Sequence, residues 1–193
     1  MVNDNTMKEI VDADPNIIQF QTNKPHYGGL FYAIINDGTL RSFDLRSPCV
    51  DSTVRELARE IPLLHLGLKR YLVESYGHII LVERFFRWDI KDEIRRTWRY
   101  CMESNNWIHM KSLGEMALFV GDNSSVSVLA TRFNGIQPNC IYFTHDEDVI
   151  CGSSIPMIFD VGLYDLENDE FKLHSATLNK MNRRPPIWLL PTL

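Results

Sequence analysis

Hydrophobic and polar residues alternate in short runs along this chain, and most of the runs come in pairs joined by a tight turn. Four such pairs predict β-hairpins, over residues 30–36 and 39–45, 70–75 and 78–85, 97–103 and 107–111, and 159–166 and 170–174. The turns between them are Asp37-Gly38, Tyr76-Gly77, Asn105-Asn106 and Asn168-Asp169, and Gly, Asn and Asp accept the positive φ that such turns require. The pattern predicts a fold built mainly from antiparallel strands.

The stretch 111–142 strengthens this prediction. Three runs of β-branched, aliphatic and aromatic residues cover 117–120, 126–129 and 140–143, and turn-forming residues separate them. Short, evenly spaced strands are typical of sandwiches, barrels and propellers, and at roughly 40 to 50 residues per propeller blade the chain would hold about four blades. Periodicity alone does not select one of these architectures.

Two hairpins end in similar sequences, Ser-Phe-Asp-Leu at 42–45 and Leu-Tyr-Asp-Leu at 163–166. Asp44 and Asp165 occupy the same place in the two sequences. A carboxylate at this place is predicted to accept hydrogen bonds from the turn backbone just past the strand.

Three segments depart from the alternating pattern. Thr53 and Glu56 match a capping box, and apolar residues at 54, 57, 58 and 61 follow helical spacing, so a short helix is predicted over about 53–60. Residues 88–99 mix basic and acidic side chains and predict a charged insertion loop. Residues 1–16 are polar and predict a disordered lead-in, which leaves 17–193 as one folded domain.

Composition narrows the class of protein. The 193 residues are 45% hydrophobic and 23% charged, which is the profile of a globular domain, and the apolar runs are too short for a membrane helix. The formal charge of -5 disfavours binding to nucleic acid. The polar, acidic N-terminus does not resemble a secretory signal, so we expect the cytoplasm or the nucleus.

The sequence offers no sign of an enzyme. It lacks a nucleophile elbow, a dinucleotide fingerprint and a phosphate-binding Gly-Lys-Ser/Thr loop. The six histidines and four cysteines are too widely spaced for a metal site, and Cys140 lies in an apolar run that predicts burial in a strand. We therefore expect no catalytic residue, no metal and no cofactor.

Several longer motifs resemble those of the plant F-box-associated family DUF295, whose folded part is a KIB-type β-propeller. The matching motifs cover roughly residues 28–190 and are Phe31-Tyr32-Ala33-Ile34, Arg70-Tyr71-Leu72-Val73-Glu74-Ser75, Ser112-Leu113-Gly114, Ala117-Leu118-Phe119-Val120-Gly121, Asn123-Ser124-Ser125, Pro138-Asn139-Cys140-Ile141-Tyr142-Phe143 and Pro185-Pro186-Ile187-Trp188. With the strand pattern, this resemblance implies an all-β, incomplete β-propeller of about three to four blades with one short helix.

The same resemblance implies a function. Family members pair an F-box, which docks on the Skp1 adaptor of a cullin ubiquitin ligase, with a propeller that captures the protein to be ubiquitinated. In one branch the captured protein is a kinase. The family's F-box has no counterpart in these 193 residues, so binding to Skp1 is not expected, and open blade edges would favour self-association.

The resemblance therefore favours a non-enzymatic domain that recognises a protein target, which could be a kinase. Because Arg and Trp dominate binding energy at protein interfaces, the candidate partner-binding residues are Arg87, Trp88, Arg183, Arg184 and Trp188. Two alternatives remain open. One is a truncated decoy or vestigial product without ligase function, and the other is a propeller that binds a small molecule.

Overall fold

The computed structural model describes residues 17–21, 30–35, 39–44, 54–58, 68–85, 93–101, 105–121, 124–144, 161–173 and 188. These residues form strands arranged in three sheets, which follow one another along the chain. The all-β prediction is confirmed for this part of the chain. The predicted lead-in 1–16 lies outside the described residues.

The first sheet is a four-stranded antiparallel meander. Its strands are β1 (Ile17–Gln21), β2 (Leu30–Ile35), β3 (Leu40–Asp44) and β4 (Val54–Ala58). The antiparallel pairing of β2 with β3 confirms the first predicted hairpin, and its predicted turn at Asp37-Gly38 lies outside the described residues.

The prediction of a short helix over 53–60 was wrong, because residues 54–58 form strand β4 along the edge of β3. Glu56 pairs with Arg41, and Ala58 is only 2% exposed in the core between the first two sheets. A helix of about eight residues is marginal by itself, whereas pairing with β3 supplies backbone hydrogen bonds and burial together.

The second sheet is also a four-stranded antiparallel meander. Its strands are β5 (Leu68–Ser75), β6 (His78–Phe85), β7 (Glu93–Cys101) and β8 (Asn106–Met110). The predicted turn residues have positive φ, 46° at Tyr76, 74° at Gly77 and 51° at Asn105. The second and third predicted hairpins are therefore confirmed.

Most of the predicted loop 88–99 is also a strand, since β7 begins at Glu93 and pairs with β6 on one side and β8 on the other. The loop prediction relied on the mixed charges of this segment. The segment also contains Ile94, Thr97, Trp98 and Tyr100, residue types that favour strands, and this preference prevails over the mixed charges.

The third sheet has five strands in the order β10-β9-β11-β12-β13. They are β9 (Met116–Val120), β10 (Val126–Leu129), β11 (Cys140–Phe143), β12 (Gly162–Asp165) and β13 (Glu170–Leu173). Strands β9 and β11 are parallel, so the chain between β10 and β11 must cross from one side of β9 to the other. The runs predicted at 117–120, 126–129 and 140–143 and the fourth hairpin are confirmed.

The crossing segment follows β10 and begins with a 3-10 turn over Ala130–Arg132. Phe133 and Ile136 then pack against Ala117 and Val128, on the face of the third sheet that points away from the second sheet. The crossing therefore covers part of that face.

The second sheet lies between the other two, and its strands β5 and β6 bury side chains on both faces. Because side chains alternate along a strand, Leu72 and Leu81 pack against the first sheet, whereas Tyr71 and Val82 pack against the third. All four are at most 1% exposed, and burial of an aliphatic or aromatic side chain contributes about 1.5–3 kcal/mol. Three sheets packed face to face in chain order is the arrangement expected of consecutive propeller blades.

Charged side chains are buried at both interfaces. Arg70 Nε donates to Glu83 Oε1 across 3.1 Å, and both side chains are at most 3% exposed. Arg84 Nη1 donates to the Thr144 carbonyl at 3.2 Å, and its guanidinium lies 4.4 Å from the centre of the Phe143 ring. Arg84 thus joins the second sheet to the third.

Candidate functional site

A cleft of about 750 Å³ opens where the second sheet meets the third. One wall is the end of β8 and the loop after it, the opposite wall is the β12–β13 turn, and Pro138 and Asn139 lie between the walls. The residues that line the two walls are His109, Met110, Lys111, Ser112 and Gly114 on the first, and Tyr164, Leu166, Glu167 and Asp169 on the second. The cleft is built from connections between strands, which are the usual location of binding residues.

The side chain of Asn139 holds the first wall in place. Its Oδ1 accepts hydrogen bonds from the Leu113 amide at 2.7 Å and from Ser112 Oγ at 3.2 Å. Ser112 Oγ also accepts a hydrogen bond from the Gly114 amide at 3.0 Å. The loop after β8 therefore has a fixed shape.

The backbone of Asn139 joins the remaining parts of the cleft. Its amide donates to the Met116 carbonyl at 2.8 Å, and its carbonyl accepts from the Leu166 amide at 3.1 Å. Asn139 makes these bonds in a left-handed conformation, with φ of 58°, and Asn tolerates this conformation better than most residues do. One residue thus connects both walls of the cleft.

Asp165 shapes the second wall, as its place at the end of the strand predicted. Its Oδ1 accepts from the amides of Glu167 at 3.0 Å and Asn168 at 3.3 Å, and its Oδ2 accepts from Asn168 Nδ2 at 2.8 Å. These hydrogen bonds, above all the one from the Asn168 side chain, lower the pKa of Asp165. The turn is therefore ordered by an ionised carboxylate. The residues that follow Asp44 lie outside the described part, so the matching prediction is not tested there.

A second hydrogen bond braces the same turn. The Tyr164 hydroxyl donates to Asp169 Oδ1, and Asp169 has a φ of 53°. Tyr164 also packs against the core between the second and third sheets. The second wall is thus anchored to the interior of the protein.

The two walls differ in charge. Exposed Lys111 lies on the first wall, and exposed Glu167 and Asp169 lie on the second. His109 also lines the first wall, but alternation along β8 places its side chain on the same face as Trp107, which packs toward the first sheet. Met110 and Leu166 also line the cleft, and both pack against the core between the second and third sheets. The cleft therefore combines basic, apolar and acidic side chains.

Cys140 is buried in β11, as predicted, and is 1% exposed. Burial raises the pKa of its thiol, and the negative charge of Asp165 raises it further. A thiol with a raised pKa is a poor nucleophile. Within the described residues, no three His, Cys, Asp or Glu side chains are grouped to hold a metal.

Trp188, one of the predicted partner-binding residues, does not line the cleft. Its Nε1 donates to the Val120 carbonyl at 3.0 Å, and its ring meets Phe119 edge to face at 4.8 Å. The described contacts give this half-buried residue a packing role on the third sheet, and its role in partner binding stays a prediction. The other four candidates, Arg87, Trp88, Arg183 and Arg184, lie outside the described residues.

Sequence reasoning did not identify the cleft residues. Asn139 follows a proline at the end of a turn-forming segment, and this position was a signal for a special backbone conformation. The structure also brings motifs that carry the family resemblance into contact with one another. Ser112 and Leu113 meet Asn139, and Val120 meets Trp188.

Comparison with known proteins agrees with this architecture. The family model of the KIB1-4 β-propeller matches residues 11–165. The chain is 23% identical over 189 residues to the F-box protein At2g17036 of Arabidopsis thaliana, an alignment that covers 84% of this chain and 43% of that protein. The chain thus spans less than half of that relative.

No solved structure matches the chain significantly. None of the helical residues that the structure describes forms a helix of the length and apolarity needed to cross a bilayer. The family match and the three stacked sheets together identify the fold as a β-propeller.

Proposed function

Because the chain belongs to the KIB1-4 β-propeller family, we propose that it is a non-enzymatic protein-recognition domain whose cleft between the second and third sheets contacts the recognised protein. The observation that carries this proposal is the way Asn139 fixes both walls of the cleft. A site whose walls are held before binding loses less conformational entropy when a partner docks.

The relative named as an F-box protein supports a more specific role. In this role the domain is the part of an F-box ubiquitin ligase that selects the protein to be modified. The partner is then a protein of the cytoplasm or nucleus, with a kinase as one candidate. The 193 residues alone are not expected to bind Skp1, because they contain no segment that resembles an F-box.

Affinity capture from an Arabidopsis thaliana extract, followed by mass spectrometry, tests the proposal. Four immobilised proteins are compared: the wild-type chain, Lys111→Glu, Glu167→Lys and the control Arg132→Glu. All three replaced side chains are exposed, and Arg132 does not line the cleft. We expect a protein that binds the wild type and the control but binds both cleft variants several-fold more weakly.

The candidate partner is then purified and its binding to the four proteins is measured directly. Purified Skp1 is tested in parallel and should not bind. Partners that bind all four proteins equally would contradict the assignment of the cleft. If no protein binds the wild type, protein recognition itself would be contradicted.

A further inference from the structure

The charges of the cleft indicate what kind of peptide it accepts. Lys111 directly follows β8, and Glu167 and Asp169 are two positions apart in the β12–β13 turn. A simple anion or a nucleic acid strand would be attracted by the first wall and repelled by the second. A ligand that complements the whole cleft carries both signs of charge, separated by an apolar group.

Resting on the proposed recognition of a protein, we propose that the cleft binds an extended peptide segment in which an apolar side chain is flanked by an acidic and a basic side chain. The acidic side chain lies toward Lys111 and the basic one toward Glu167. The apolar side chain lies over Met110 and Leu166. The volume of about 750 Å³ is within the range of roughly 300–1,000 Å³ that is typical of ligand clefts.

The side chain of Asn139, which lines the cleft, suits a hydrogen bond to a peptide backbone. Asn139 uses Oδ1 to accept from Leu113 and Ser112, so the part of its amide that it can offer to a ligand is the Nδ2 donor. A peptide carbonyl is the natural acceptor for such a group. Specificity then comes from charge at the two walls, and orientation comes from the hydrogen bond of Asn139.

A positional-scanning peptide library with a fixed central Leu tests the proposal. The immobilised wild-type chain should enrich an acidic residue on one side of the Leu and a basic residue on the other. Affinities of the selected peptide and of the same peptide with its two charges exchanged are then measured by fluorescence polarisation. Lys111→Glu and Glu167→Lys should each weaken binding of the selected peptide by about three- to tenfold.

The double variant with Lys111→Glu and Glu167→Lys provides the decisive comparison, because it should prefer the exchanged peptide over the selected one. Arg132→Glu should behave like the wild type. This inference would be overturned if the wild type enriches no charged residues beside the Leu. It would also be overturned if the double variant enriches the same residues as the wild type. Protein recognition would still stand if the extract experiment yields a partner that depends on the cleft, and it would fall only if no partner binds.

Discussion

Asn139 Oδ1 accepts a 2.7 Å hydrogen bond from the amide of Leu113, a residue 26 positions earlier in the chain. The bond joins the loop after β8 to the segment that leads into β11. Leu113 itself is 8% exposed in the core between the second and third sheets, so a change at Asn139 affects both the cleft and the core behind it.

We predict that Asn139→Ala lowers the free energy of unfolding by about 2–3 kcal/mol. The change leaves the Leu113 amide without its acceptor and places Ala in a left-handed conformation. Asn139→Gly accepts the conformation but still loses the hydrogen bond, so it should cost about 1 kcal/mol less than Ala. Urea unfolding measures both, with the exposed Asn134→Ala as the control. Equal effects of Ala at positions 134 and 139 would show that Asn139 is not a structural link.

Gly121 has no room for a side chain. A Cβ atom there would lie 2.4 Å from Thr144 Oγ1 and 3.6 Å from Trp188 Nε1. Gly121→Ala should therefore destabilise the fold by about 1–3 kcal/mol through overpacking. Adding Thr144→Ala removes the clashing oxygen and should recover most of the loss, whereas Thr144→Val keeps an atom near that place and should not. Thermal unfolding of these variants is the test. If the double variant Gly121→Ala with Thr144→Ala does not recover stability, the proposed clash is refuted.

Arg70 and Glu83 form a buried pair. Removing one member should lower the free energy of unfolding much more than replacing both with apolar residues. Arg70→Met leaves the Glu83 carboxylate buried without the Arg70 guanidinium, and we expect a loss of about 3–5 kcal/mol. The double variant Arg70→Met with Glu83→Leu should be much closer to the wild type, because both charges are removed. Chemical denaturation of both single variants and the double variant gives the coupling energy. A double variant no more stable than Arg70→Met would contradict the pairing.

Asp165 makes the β12–β13 turn sensitive to acid. Its pKa in the folded protein lies below the ordinary value of 3.8, so its contribution to stability is present above that value and is lost as the pH falls through the folded pKa. Asp165→Asn should therefore reduce stability at neutral pH and flatten the decline of stability below about pH 4.

Melting temperatures between pH 7 and pH 2.5 measure this difference. The exposed Glu115→Gln is the matched control and should retain the decline seen in the wild type. A decline that is unchanged in Asp165→Asn would show that other carboxylates control the acid response.

The features predicted correctly from the sequence are those set by neighbouring residues. The hairpin around Tyr76 and Gly77 could be located because turn chemistry is local, and the burial of Cys140 followed from the run around it. Strand β4 was mistaken for a helix because its pairing with β3 outweighs its local spacing. The parallel pairing of β9 with β11 had no local signal at all.

The cleft could not be predicted for the same reason. Lys111 and Glu167 line one cleft only because the second sheet packs on the third, and no short motif contains both residues. The sequence motifs did mark residues that hold the cleft together, among them Ser112 and Asn139. Their resemblance to a family was visible, but their contact with each other was not.

The Val120 carbonyl accepts two hydrogen bonds, from the Thr144 amide at 3.2 Å and from Trp188 Nε1 at 3.0 Å. Recombinant versions of this domain that stop after β13 would therefore lack the indole that covers Phe119, even though every described strand of the third sheet would be included. For protein production, the C-terminal boundary belongs beyond position 188, and comparing the 193-residue chain with Trp188→Ala would show how much solubility depends on this single ring.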